Sequence, residues 1–207
     1  MLSEGGVADC QDSAATLYSR RVTTIVDIIR ERRLDAELAG LLWLLAEGRI
    51  PIHVAPPAGG DLAGAVRELA TDPATVTESP VASIEEVLRQ PVPLRPATGA
   101  IVILDGDGRV ASAHLLRPPL RDGAGHVRPQ GPAVLAAWIQ EEGRLEHFAW
   151  GVLPDLAAEL GKKAGDIEAE LEQRATFLRG LAAAATSDPA AVGNALRHWP
   201  AHGHGSH

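Results

Sequence analysis

Cysteine is almost absent from this 207-residue chain, and the single one, Cys10, stands in a polar N-terminal stretch. No disulfide can close within the chain, and no zinc site can be assembled from thiolates. Cys10 has no neighbouring His, which removes the setting of a catalytic thiol. Aromatic residues are scarce at 3%, so a core must be built from Leu, Val, Ile and Ala. Long apolar runs are missing too. The longest, Leu38 to Ala46, falls well short of the roughly 20 residues a helix needs to cross a bilayer. Positive charge is in deficit: 19 Lys and Arg against 27 Asp and Glu leave a formal net charge of -8. That is the wrong sign for a general nucleic-acid surface or an anionic membrane. The first ten residues, MLSEGGVADC, carry acid before any base and no apolar core, so no signal peptide is expected and cytoplasm is the default location.

Hydrophobic residues make up 45% of the chain, which excludes disorder throughout, and 21 Gly with 15 Pro predict many short elements. Residues 1–13 read as a flexible tail. Leu17, Val22, Ile25, Val26, Ile28 and Ile29 recur near helical spacing up to Arg30, predicting an amphipathic helix. Asp35 is placed to cap a second helix through Leu38, Leu41, Leu42 and Leu45, stopped by Gly48. The run Ile50 to Ala55 reads as a buried strand, followed by the loop Pro56 to Gly60 and a helix from Asp61 to about Leu69. A brief strand is predicted around Val76, and a short helix is capped by Ser83, with Glu86 completing a capping box. A proline-rich connector, Pro91 to Thr98, precedes a change of texture. Ile101 to Leu104 and Val110 to Leu116 flank Asp105-Gly106-Asp107-Gly108, a strong hairpin signal. Val134 to Ile139 and Leu145 to Trp150 flank a second turn, with a Pro- and Gly-rich loop between the hairpins. Helices are predicted at Pro154 to Leu160, Asp166 to Ala185 and Asp188 to Trp199.

The glycine loop is the most informative segment. A P-loop needs G-x-x-x-x-G-K-[ST] between a strand and a helix, so that backbone N–H groups wrap phosphate, Lys neutralises it and the hydroxyl holds Mg²⁺. Here the order of elements is right, but the spaced positions read Ala55, Gly60, Asp61 and Leu62. A carboxylate where the Lys belongs repels a triphosphate, and an apolar side chain cannot hold the metal. No nucleotide cofactor is expected. Taken alone, Gly59-Gly60 before a helix is an ordinary turn, the commoner meaning of such a pair.

Set beside other segments, that loop carries a resemblance. Leu42 to Ala55 is similar to the helix and strand leading into the P-loop of the type II and type IV secretion and pilus ATPases. Ser83-Ile84-Glu85-Glu86-Val87-Leu88 resembles the segment after their histidine box, with Pro80 where the His would stand. The hairpin Ile101 to Leu116 resembles their late strands, and Glu168 to Leu181, with Arg174, Phe177 and Leu178, their ending. Only about fourteen residues separate the P-loop helix from the histidine-box position, too few for the acidic box and the Mg²⁺-ordering strand. The resemblance therefore implies a truncated relative with partial fold and no carried-over catalytic residue. It also implies self-association, since such ATPases work as rings, with a dimer favoured, and a secretion- or pilus-type protein partner.

The eight histidines invite a metal reading. His202, His204 and His207 alternate in the tail and could take Zn²⁺ or Ni²⁺ weakly, although a solvated tail is the commoner meaning. His53 reads as a hydrogen-bonded core histidine, and His114 and His147 could face each other across the meander. Asp105 and Asp107 open like a calcium loop, but Arg109 and Val110 follow where further acids are needed, so a hairpin turn is predicted. Trp138, Phe148 and Trp150 fall in the second hairpin. They either pack under the C-terminal helices, the commoner outcome, or anchor a partner, with Trp138 and Trp150 as the candidates.

These readings predict an α/β fold: helices and a degenerate P-loop-like βα unit over 14–90, an antiparallel meander over 91–150, C-terminal helices over 151–199 and a tail over 200–207. The leading function is a non-catalytic binding or assembly protein on an ATPase-like scaffold. The alternative is a small-molecule binder or enzyme with a His/carboxylate pocket between the meander and the C-terminal helices.

Overall fold

The computed structural model describes residues 22–55, 60–79, 83–89, 98–128 and 130–199. The expected tails at 1–13 and 200–207, Leu17, the loop residues 56–59, Pro80 and the connector residues 91–97 lie outside the described residues.

Among the described residues the fold is mixed α/β: a six-stranded sheet with seven helices, the last three in the C-terminal region. The chain begins with helix α1 (Ile25–Arg30), opened by a reciprocal cap in which Thr24 Oγ1 accepts from the Asp27 N–H and Asp27 accepts from the Thr24 N–H. That cap corrects the expected start. Val22 precedes the helix and is exposed, because Thr24 offers the backbone a better terminus than continued apolar spacing does.

Helix α2 (Ala36–Glu47) starts at Asp35, whose Oδ1 accepts from the Leu38 N–H at 2.9 Å. Ten of its twelve residues are buried, as an all-apolar helix demands. Gly48 ends it by a different device from the left-handed glycine cap. Its φ is -71°, and Arg49 takes the left-handed conformation at φ 58°. Gly48 packs against Leu160: a Cβ there would lie 2.0 Å from Leu160 Cδ2 and require that side chain to move.

Strand β1 (Ile52–Val54), helix α3 (Gly60–Arg67) and strand β2 (Val76–Glu78) form a βαβ unit with parallel strands. Helix α4 (Ile84–Arg89) leads to β3 (Gly99–Leu104), which pairs parallel with the other edge of β1. From β3 the sheet turns antiparallel through β4 (Val110–Leu116), β7 (Ala133–Ile139) and β8 (Arg144–His147), giving the order β2-β1-β3-β4-β7-β8. Asp105 Oδ1 accepts the Asp107 and Arg109 N–H groups, so the acidic pair forms the β3–β4 turn. The Pro- and Gly-rich loop is not plain coil. It carries a two-stranded ribbon, β5 (Leu120–Arg121) with β6 (Val127–Arg128).

Strand β8 stops at His147, earlier than the apolar pattern predicts, and Ala149–Val152 forms a 3-10 turn into α5 (Leu153–Leu160). Helices α6 (Ala164–Ala183) and α7 (Pro189–Arg197) follow, the latter capped by Asp188. Helix α6 lies along α2 at close range, since a Cβ on Gly40 would come 3.2 Å from Ala175 N and 3.3 Å from Arg174 Cβ. The helical layer covers one sheet face, which presents Ile52, Val54, Ala100, Val102, Ala113 and Leu135 to the main core. On the other face Ile84 packs on Ile101, Ile103 and Leu116. Strand β1 is thus an interior strand, flanked by β2 and β3, and α6 covers α2. No helix among the described residues is long and apolar enough to cross a membrane.

Candidate functional site

The β1–α3 turn holds the degenerate P-loop positions. Ala55 is buried and its N–H donates to Val102 O at 2.8 Å, while Leu62 is fully buried. Gly60 opens α3, and Asp61 follows it. The Asp61 carboxylate takes a forked pair of bonds from Arg33, Nη1 to Oδ2 at 2.6 Å and Nη2 to Oδ1 at 3.0 Å. Arg33 Nε donates in turn to Gly108 O at 2.9 Å, joining the α1–α2 connector, the α3 N-terminus and the β3–β4 turn. The Arg33 hydrogen bond, aided by its charge, holds the Asp61 carboxyl below the usual carboxylate range against the opposing effect of burial. This end of the sheet is therefore closed by an internal ion pair, with a carboxylate and a buried Leu where phosphate and metal ligands would be needed.

More open chemistry lies at the N-terminus of α2, two residues beyond Arg33. Asp35, Glu37 and His147 each offer one ligand atom, and these atoms lie within 4.8 Å of one another. His147 is the last residue of β8 and sits opposite Ala136 of β7, on the helical face of the sheet. Its Nε2 is 2.8 Å from Asp35 Oδ2, where the N–H donates to the carboxylate. That hydrogen bond raises the imidazole above its ordinary pKa against desolvation, and the charges of Asp35 and Glu37 add to the rise. Glu37, in the first turn of α2, accepts from Arg179 of α6 through Oε1, at 3.2 Å from Nε and 2.9 Å from Nη2.

Two cavities flank the cluster. The larger, about 360 Å³, is lined by Leu34, Asp35, Glu37, Trp138, Leu145 and Arg179 among others. It falls within the range of small-molecule sites and combines apolar walls with a few charged groups, as such sites do. The smaller, about 160 Å³, lies beyond Glu37 and His147 and is lined by Leu41, Trp150, Leu153 and Leu171. Arg32, at the mouth of the larger cavity, has a left-handed backbone with φ 57°, a conformation uncommon for a side chain of this type.

The remaining predicted residues are scattered. His114 pairs with Ile101 and Val134, on the face toward α4, so the sheet separates it from His147 and the two do not face each other. His53 accepts or donates at Thr77 Oγ1, 2.9 Å away, and burial lowers the pKa of both His53 and His114. Trp138 is half-buried, with the Arg109 guanidinium 4.4 Å from its ring centre, and it walls the larger cavity. Phe148 and Trp150 do not join the core. They are 44% and 57% exposed, because β8 ends before them and the 3-10 turn swings them outward. The aromatic cluster lies elsewhere: buried Trp43 and half-buried Trp199 and Phe177 contact one another, and the fully buried Arg174 packs on both Trp rings. His202, His204 and His207 lie outside the described residues. Sequence reasoning missed Glu37 and Arg179, and saw Asp35 as a cap alone. The one available signal was polar residues bounding an otherwise apolar helix. No family model matches the chain, and no curated protein matches its sequence.

Proposed function

We propose that this protein is a non-catalytic binding protein that takes a small organic ligand in the cleft between the N-terminus of α2, β8 and α6. The observation that carries the reading is the convergence of Asp35, Glu37 and His147, from segments 112 residues apart, at the junction of two cavities. Trp138 and Leu145 supply apolar walls, while Arg179 and His147 fix polar groups at the floor. The scaffold is proposed to be a truncated relative of the secretion and pilus ATPases in which nucleotide binding has been lost. The Arg33–Asp61 pair and the burial of Leu62 support that loss.

Crystals soaked with a fragment library test the reading. Density is expected in the Trp138–Arg179 cleft, and His147→Ala with Trp138→Ala should abolish it. Fragments that gather elsewhere, or that bind the double variant unchanged, would refute the proposal. A second reading, self-association or docking to a secretion- or pilus-type partner, is favoured by one feature. Phe148 and Trp150 form an exposed apolar corner next to the smaller cavity, and buried Trp is the usual anchor of such contacts.

A further inference from the structure

We infer that the Asp35–Glu37–His147 cluster is a binding site for a divalent transition-metal cation of the Zn²⁺ type. The inference rests on the reading of this cleft as a binding site and adds a ligand class to it.

The donor set carries the argument. One imidazole nitrogen and two carboxylates suit Zn²⁺ and its first-row neighbours better than Ca²⁺ or Mg²⁺, which take oxygen donors. The atoms are already gathered, all within 4.8 Å of one another. His147 Nε2 and Asp35 Oδ2 are joined by a 2.8 Å hydrogen bond; a tetrahedral ion with bonds of about 2.0–2.2 Å sets its ligands roughly 3.3–3.6 Å apart, so binding replaces the Nε2 proton by the cation and opens this contact slightly.

Each carboxylate is oriented through its other oxygen. Asp35 Oδ1 is held by the Leu38 N–H of α2 at 2.9 Å, and Glu37 Oε1 is held by Arg179. Asp35 Oδ2, once the His147 proton has left, and the second oxygen of Glu37 therefore face the cation, and each carboxylate is steered by a second partner, as in working metal sites. Three protein ligands leave positions open toward the flanking cavities, where water or an organic ligand can complete the shell.

The test uses the full chain with His202→Ala, His204→Ala and His207→Ala, which removes the competing tail histidines. Calorimetric titration with Zn²⁺ should give one ion per chain, and Co²⁺ should produce visible d–d bands. Affinity should fall at least about tenfold in Glu37→Gln and more in His147→Gln. Asp35→Asn should weaken the ion while keeping the helix cap, since Asn caps as well as Asp; unchanged circular dichroism marks each variant as folded. Loss of all Zn²⁺ binding on removing the tail histidines would overturn the inference, as would equal affinity in the three folded cluster variants. Fragments in the cleft of a protein that takes no Zn²⁺ would overturn the metal alone and leave the cleft reading standing. Zn²⁺ uptake with no organic fragment bound would uphold the metal and overturn that reading.

Discussion

Single side chains decide where this molecule can and cannot bind. Asp61 stands where a phosphate-binding Lys would be needed, yet it is already engaged by Arg33. Replacing it with Lys would set two cations together in a half-buried turn, and Leu62→Thr would put a hydroxyl into a fully buried position. The double variant Asp61→Lys/Leu62→Thr should lose about 2–4 kcal/mol in urea denaturation and still show no heat of binding with Mg²⁺-ATP. His147 sets a pH dependence of the opposite kind. Its pKa is raised in the folded state by Asp35, with Glu37 adding and Arg144 opposing. The charged pair therefore adds stability below the unfolded value of about 6.5 and loses it as pH rises through the folded pKa. In chelator-treated protein the melting-temperature gap between the native chain and His147→Gln should be widest near pH 5.5 and narrow toward pH 8.5. A gap that widens on going alkaline would contradict the pairing. Arg174 is a buried cation tied to Glu47 at 2.5 Å and to Glu170, with its guanidinium carbon 4.6 Å from the Trp43 ring centre and 4.8 Å from that of Trp199. Arg174→Ala should cost about 3–5 kcal/mol, because it breaks a desolvated ion network and removes the cation packed on both rings.

At the scale of elements, the α2–α6 contact is the tightest helix approach in the molecule's core, and Gly40 permits it. Gly40→Leu should destabilise by about 3 kcal/mol or more by forcing the helices apart, read as a shift of the urea midpoint. The elements with local signals were legible from sequence. Asp35 and Ser83 are caps whose side chains accept the N–H groups expected of them. The Asp105–Gly108 turn and the run of helices after it follow from turn residues and helical period. What was illegible depended on competition or distance. The start of α1 was set by Thr24 and Asp27, which outweigh the apolar spacing upstream. The end of β8 was hidden because Phe148 and Trp150 continue a strand-like pattern while the chain turns into a 3-10 helix. The cleft was hidden most deeply: nothing in local sequence links Asp35 to His147 until β7 and β8 bring the latter to the end of α2.

The whole molecule closes its own core. Among the described residues, β1 is an interior strand and α2 is enclosed by the sheet and α6, so one chain covers both. The melting temperature should accordingly stay constant across about a hundredfold dilution, as it would not if folding needed a dimer. Among the described residues, an open cleft lies where the N-terminus of α2 meets the last strand of the meander and the longest helix of the C-terminal region. ¹⁵N-resolved NMR of the full chain, titrated with a fragment selected by soaking and separately with Mg²⁺-ATP, tests that claim most directly. The fragment should move the Trp138 indole N–H and the amides of Arg32, Glu37 and Gly143, and ATP should move nothing. Shifts centred on Ala55, Asp61 and Leu62 with ATP, while the cleft stays silent to every fragment, would contradict the account.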